Sequence, residues 1–297
     1  MTRPALTRET IAAMPGHEFG LVMRLILGRH LFNMQDLHYG YWPDDLAVEL
    51  ANIPEAQAAY TDFLSAAIPD GVKTILDVGC GAGNNALRLL EKGYQVDCVS
   101  PNGYLSEVSK QRLGDRVRFF ECGIEKLETD RRYDLILFSE SLLFMPLEAA
   151  LRKALSLLNA GGYILITDLF KLPSEDKSPI GGGQRLSFFR ETVARLPADV
   201  IQDLDMTERI APTFDLLDCA YSEMIGPMYD LLTARLKLSH PWVMRLVRWK
   251  FRRAFIEYEG KLFSGRRNAA NFIKYKSYRL FLLRKRSRDA DLTDLKS

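Results

Sequence analysis

Residues 74–84 read Thr74-Ile-Leu-Asp77-Val-Gly79-Cys80-Gly81-Ala-Gly83-Asn84, and this stretch decides the fold. The apolar run Ile75, Leu76 and Val78 has the length of a strand buried on both faces. Asn84-Asn-Ala-Leu-Arg-Leu-Leu90 behind it reads as a helix. The three glycines between them let the backbone turn tightly and let a ligand reach the amides at the helix start. A strand, a glycine loop and a helix in that order make a nucleotide-type cradle.

Working outward, further strands are expected at 93–100, 116–120, 133–139, 163–168, 199–204 and 276–283, with helices about 103–113, 147–159 and 187–196. Strands alternating with helices indicate a parallel α/β sheet that binds ligands at the carboxyl ends of its strands. Upstream, residues 5–35 and 46–68 carry helical patterning. Between them, Asp36-Leu-His38-Tyr39-Gly-Tyr-Trp42-Pro43 is an aromatic cluster broken by Gly and Pro, hence a loop. Its rings either cover a bound ligand or plug the N-terminal helices. The chain divides into an N-terminal helical cover (1–70), a ligand-binding core (71–206), a helical insertion (207–270) and a last core strand with its tail (271–297).

The 297 residues are 47% apolar, which supports a sizeable core and excludes a disordered chain. Cys80, Cys98, Cys122 and Cys219 have neither metal-type nor disulfide-type spacing, so a reducing compartment without a structural metal is expected. The first residues lack a signal peptide's apolar region, and Arg24 interrupts the apolar stretch 19–27. A cytoplasmic protein is expected. The net charge of +2 is uneven: residues 235–286 hold 16 Lys/Arg against Glu257 and Glu259, a local +14, and the remainder is −12. Either the basic part meets an anionic surface or ligand, or it folds against the acidic remainder.

The glycine spacing narrows the nucleotide. A dinucleotide fold requires G-x-G-x-x-G and an acid closing the second strand. Here the third position is Asn84 and the second strand ends at Ser100. The observed G-x-G-x-G, with Asp77 two residues ahead, resembles motif I of class I S-adenosylmethionine-dependent methyltransferases. The strand near 96–100, Tyr133-Asp-Leu-Ile and Leu158-Asn-Ala-Gly-Gly-Tyr-Ile-Leu-Ile line up with that family in order over about 36–170. His38-Tyr-Gly-Tyr-Trp42 and Ser139-Glu-Ser-Leu-Leu-Phe-Met-Pro146 resemble the tocopherol, cyclopropane-fatty-acid and phosphoethanolamine methyltransferase branch.

The resemblance implies a Rossmann-like seven-stranded sheet, the last strand inserted antiparallel between the fifth and sixth, and S-adenosyl-L-methionine as cofactor. It places the backbone of Gly79, Cys80, Gly81 and Gly83 at the methionine moiety, with Asp77 orienting the loop or its amines. Ser100 would lie near the ribose, Ile124 near adenine and Ser139 at the same site. Tyr39 and Trp42 would close over the cofactor. The acid usual near adenine falls at Gly123, and the branch's Glu-His falls at Leu143 and Phe144. An acid in that neighbourhood helps cyclopropane synthases hold bicarbonate, so its absence argues against cyclopropanation.

Leu142 to Met145 make an apolar wall, and Gly181-Gly-Gly183 sits in a loop at 171–184 fit to act as a lid. The insertion at 207–262 is expected to cap the substrate pocket. There Trp242, Val243, Leu246, Trp249, Phe251 and Phe255 interleave with Arg245, Arg248, Lys250, Arg252 and Arg253. Such a basic amphipathic stretch suits an anionic membrane or a greasy anionic substrate. It equally suits a helix docked on the domain with snorkelling arginines. No nucleic-acid motif accompanies the charge. The reading is in-line methyl transfer, driven by proximity, to a lipid, quinone, terpenoid or polyketide. Glu140 and His38 are the candidate catalytic groups, although Glu140 can equally serve loop amides as an acceptor and a histidine in such a loop is more often structural than a base. The competing readings are a fold of this kind using its cofactor without methyl transfer, and a nicotinamide-binding reductase.

Overall fold

A computed structural model of the chain describes residues 7–14, 16–101, 103–253 and 264–286. Eight strands, β1 (Thr74–Val78), β2 (Gln95–Val99), β3 (Phe119–Phe120), β4 (Tyr133–Ser139), β5 (Leu158–Lys171), β6 (Gln184–Arg185), β7 (Ala198–Asp205) and β8 (Lys276–Lys285), form one sheet. Its order is β3-β2-β1-β4-β5-β8-β7, with the two-residue β6 paired to β5. Strands β1 to β5 run parallel, and β8 lies antiparallel between β5 and β7. The expected seven strands with the last one inserted antiparallel are observed, and the two-residue β6 adds an eighth to the sheet.

Side-chain alternation puts a core on each face. In β4, Ile136 and Phe138 pack with Leu151, Ile166 and Phe281, while Leu135 and Leu137 pack with Ile75, Leu165 and Leu280 on the other face. Full burial of such a side chain contributes about 1.5–3 kcal/mol. The first face is covered by α6 (Leu147–Leu157) and α7 (Leu186–Ala194). The second is covered by α3 (Ile53–Ala66), α4 (Asn84–Glu91), α9 (Pro212–Cys219) and the short α12 (Ala269–Tyr275). The remaining helices among the described residues are α1 (Arg8–Ala13), α2 (Gly16–Leu31), α5 (Gly103–Leu113), α8 (Thr207–Ile210), α10 (Gly226–Ser239) and α11 (Pro241–Lys250).

Several boundaries differ from expectation. The helical stretch 5–35 is two helices. Helix α3 starts only at Ile53, because Pro54 favours a first helical turn, and Leu46 and Val48 lie in the approach to it. Strand β3 is two residues long, since Gly114–Arg116 forms a 3-10 turn. The larger correction concerns the insertion. A π-helix (Ala220–Ile225) leads into α10, in which only Gly226 is buried, and α11 has no buried residue. These helices form an arm that lines no part of the cavity described below. Phe255, Glu257 and Glu259 lie outside the described residues.

Candidate functional site

A cavity of about 490 Å³ lies at the carboxyl ends of β1, β2, β4 and β5. Strand order reverses between β1 and β4, so the connections leave to opposite sides and open a crevice there. The glycine loop forms its floor. Gly79 has φ +74°, and a Cβ there would stand 2.6 Å from Ser141 Cβ. Its amide donates to the Val99 carbonyl at 2.8 Å, joining the loop to the end of β2. Gly79, Cys80 and Gly81 line the cavity, as do Asn84 and Asn85 at the start of α4. Gly83 does not line it. At φ +79° its added Cβ would meet Ser109 Oγ at 2.6 Å, so its task is close packing of the loop on α5.

Asp77 ends β1 beneath this loop, and only 1% of it is exposed. Its Oδ2 is buried without a hydrogen-bond partner, and burial pushes the carboxyl up to about 7. A buried carboxylate oxygen left unpaired is costly, so the site is built for a donor that the chain itself does not supply. Ser100 lines the cavity beyond β2. Ile124 does not, because its side chain is 1% exposed and belongs to the core behind. Its neighbours Gly123 and Glu125 line the wall instead. A Cβ on Gly123 would overlap Glu125 Oε1, so the Glu125 carboxylate fills the space that a side chain at 123 would occupy. A carboxylate thus stands beside position 123 although the residue there is glycine.

The aromatic loop is pinned from three sides. Gln57 of α3 donates to the carbonyls of Asp36 (3.0 Å) and His38 (2.8 Å). Glu140 Oε1 accepts from the Tyr39 amide at 2.8 Å. Trp42 Nε1 donates to Thr213 Oγ1 at 2.9 Å, and the ring packs with Met34, Ile53 and Ala56. Trp42, 2% exposed, is therefore a core plug and does not close over a ligand. Tyr39 and His38 do line the cavity, so the loop is a fixed wall there. The Arg24 guanidinium of α2 lies 4.6 Å above the Tyr39 ring centroid, and its Nε and Nη2 are buried without hydrogen-bond partners. Glu18, Leu21 and Arg24 bring α2 into the wall, a contribution that helical periodicity alone did not reveal.

Glu140 adopts φ +51°, which is uncommon outside glycine and is held by its amide bond to the Thr167 carbonyl at 2.8 Å. Tyr278 Oη also donates to Glu140 Oε1 (2.9 Å) and meets Tyr60 Oη at 3.1 Å. Tyr60 in turn bonds Ser139 Oγ and Thr167 Oγ1 at 2.8 and 2.6 Å. Burial raises the Glu140 pKa, opposed by Arg24 and His38. Oε1 thus serves as a loop acceptor, while the residue still faces the cavity. His38 Nδ1 lies 2.8 Å from the Tyr39 carbonyl, which assigns that nitrogen as the donor. Its Nε2 is buried, unpartnered and 3.6 Å from Asp36 Oδ1. Burial opposes charge on this ring, yet the Asp36 carboxylate leaves its pKa raised.

Leu143, Phe144 and Met145 contribute apolar side chains to the cavity lining, as do Leu21 and Leu37. The glycine loop before β6 joins the lining through Gly181 and Gly182. Lys276 Nζ donates to the Gly182 carbonyl at 2.8 Å, and burial with nearby Lys171 lowers its pKa to about 8.

Residues 75–162 match the family model described as "Methyltransferase domain". Among curated proteins, the ubiquinone biosynthesis O-methyltransferase of Nitrosomonas europaea is 25% identical over 142 residues, 46% of this chain and 60% of that protein. The chain spans between 27% and 60% of the length of the first curated relatives it matches. Among solved structures, the cyclase SpnF superposes with a TM-score of 0.64 at 20% identity, covering 92% of this chain and 97% of that one. The geranyl diphosphate C-methyltransferase of Streptomyces coelicolor A3(2) gives 0.61 at 16% identity, with 91% and 98% covered. Residues 75–162 are thus similar to a methyltransferase domain, and the chain shares the fold of these solved structures across most of its length.

Proposed function

We propose that this chain is an S-adenosyl-L-methionine-dependent methyltransferase whose acceptor is a lipophilic small molecule. The observation that carries the reading is the Asp77 carboxylate oxygen, buried without a partner below a glycine loop in which Gly79 has no room for a side chain. When bound, S-adenosylmethionine supplies an electrophilic methyl group on a sulfonium leaving group. Asp77 would hold its amine, the Gly79–Gly81 backbone its methionine moiety, and Ser100 its ribose. Glu125 would accept from the adenine amine in place of the missing acid at 123. Tyr39, Ser139 and Cys80 complete the lining on the same cavity.

The apolar lining contributed by Leu143, Phe144 and Met145 suits an acceptor of the lipid, quinone, terpenoid or polyketide kind, and excludes water from the transfer. Orientation against this wall supplies rate, since in-line displacement needs little help at the leaving group. An acceptor that sheds a proton requires a base. His38 Nε2 would receive it, and the adjacent Asp36 would stabilise the resulting imidazolium. Glu140 positions the Tyr39 loop through Oε1. The quinone and prenyl chemistry named for two of the similar proteins supports this acceptor class. Lipophilic acceptors partition into bilayers, which fits a cytoplasmic protein working at a membrane surface. Among the described residues no helix is long and apolar enough to cross one.

The test is calorimetry with S-adenosylhomocysteine and with NAD, followed by mass spectrometry of quinols, prenyl compounds and fatty acids incubated with S-adenosylmethionine. Binding of the former alone and a product heavier by one methylene are expected. Absence of S-adenosylhomocysteine binding refutes the reading, and a product of unchanged mass replaces it with the non-methylating one.

A further inference from the structure

We propose that the arm formed by α10 and α11 is a docking surface for an anionic lipid bilayer. The arm exposes large apolar side chains that a folded domain normally buries: Leu231 is 74% exposed, Leu238 80%, Trp242 78%, Leu246 62% and Trp249 76%. A contiguous apolar face of this kind marks an interaction site. On α11 the spacing of Trp242, Leu246 and Trp249 puts these three side chains along one face. Arg245 and Lys250 flank this face on its two sides, and Arg252 and Arg253 follow the helix end.

The occupant follows from charge. Residues 226–253 hold seven Lys/Arg and one acid, Asp230. A second copy of the arm would bring the same sign of charge against it. A bilayer carrying anionic headgroups accepts both parts together, with cations at the headgroups and apolar side chains in the acyl boundary. Tryptophan rings are suited to that boundary, having an apolar body and one polar N–H. The alternative of a helix docked on its own domain does not hold, because both tryptophans stand more than three-quarters exposed. The arm also lies outside the cavity lining, so it can hold a surface while the cavity takes up a lipophilic acceptor. That purpose, though not the surface itself, rests on the methyl-transfer reading.

The experiment is flotation of the full chain with vesicles of phosphatidylcholine alone and with phosphatidylglycerol added, read also by tryptophan emission. The chain has three tryptophans, and buried Trp42 serves as an internal constant. Expected are flotation on the anionic vesicles only and a blue shift of the emission. Replacing Arg245→Gln with Lys250→Gln should lower partition about 30-fold, the weight of two cations near an anionic surface. The pair Trp242→Ser and Trp249→Ser should abolish both flotation and the blue shift. These side chains are exposed, and unchanged S-adenosylhomocysteine calorimetry without lipid verifies that each variant is folded.

Failure to float on the anionic vesicles overturns the proposal, as does equal partition into neutral and anionic vesicles. Sedimentation showing a dimer that the tryptophan pair dissolves, without flotation, assigns the surface to a second copy and overturns it too. Loss of S-adenosylhomocysteine binding by the unaltered chain would strike the methyl-transfer reading and leave the arm's lipid binding to stand by its own result.

Discussion

Replacing Asp77→Asn should stabilise the ligand-free protein above neutral pH while disabling its ligand site. The carboxyl is pushed up to about 7 by burial, from an ordinary value of 3.8. Three units at about 1.36 kcal/mol each make roughly 4 kcal/mol of differential interaction. The sign follows from proton linkage. The folded state holds the proton more tightly than the unfolded one, so wild-type stability falls as pH rises from about 4 to about 7 and then levels. Between pH 5 and pH 8 the loss is about 2–3 kcal/mol by the same relation. Asparagine keeps the shape and cannot ionise, so its curve lacks this loss. Differential scanning fluorimetry should show the melting-temperature gap, variant minus wild type, widening by roughly 5–8 °C across that range. Calorimetry should show S-adenosylhomocysteine bound about 10- to 100-fold more weakly by the variant, the worth of a hydrogen bond to a charged group. At pH 6.5, binding to the wild type should also release protons, because the arriving amine favours the carboxylate; buffers of differing ionisation enthalpy measure this. A gap that stays constant with pH, or unaltered affinity, would refute the reasoning.

Gly79→Ala combines a left-handed backbone with a Cβ 2.6 Å from Ser141 Cβ, a cost of about 3 kcal/mol; thermal melts should fall and S-adenosylhomocysteine binding should vanish in calorimetry. Glu125→Ala should weaken S-adenosylhomocysteine about 10-fold, by loss of one charge-assisted bond. The analogue with inosine in place of adenosine should bind wild type and variant alike, and equal losses for both ligands would count against the adenine role. Gln57→Ala removes the donor to two loop carbonyls, costing about 2–4 kcal/mol. Hydrogen exchange should then accelerate over 36–42, with the melt lowered; unchanged protection would contradict the fixed-wall description.

The glycine spacing, Asn84 and Ser100 made the core legible, because these requirements are local. A strand followed by a tight turn and a helix start needs particular residues at adjacent positions, and they appear in order along the chain. Strand β8 was also legible as a strand through Ser277 to Leu283. Its place between β5 and β7 came from family likeness and was then observed. Trp42 is a plug through Thr213, 171 residues away, and nothing local in the sequence distinguishes a plug from a lid. Ile124 faces the core and its neighbours the cavity, since one residue's rotation in the 3-10 turn at 124–126 exchanges the two. Arg24 escaped notice because a helix in the cover reveals which face is apolar, not which ligand site that face overlies.

What the sequence alone determined was the cradle: Asp77, its glycines and the helix behind them, whose chemistry is encoded within a dozen residues. Tertiary structure alone decided that the Asp77 oxygen is an orphan, that the Glu125 carboxylate stands beside Gly123, and that the basic apolar helices stand away from the cavity. The physical reason is that burial, and with it the cost of an unpaired charge or an exposed tryptophan, belongs to the packing of distant segments and to no segment by itself.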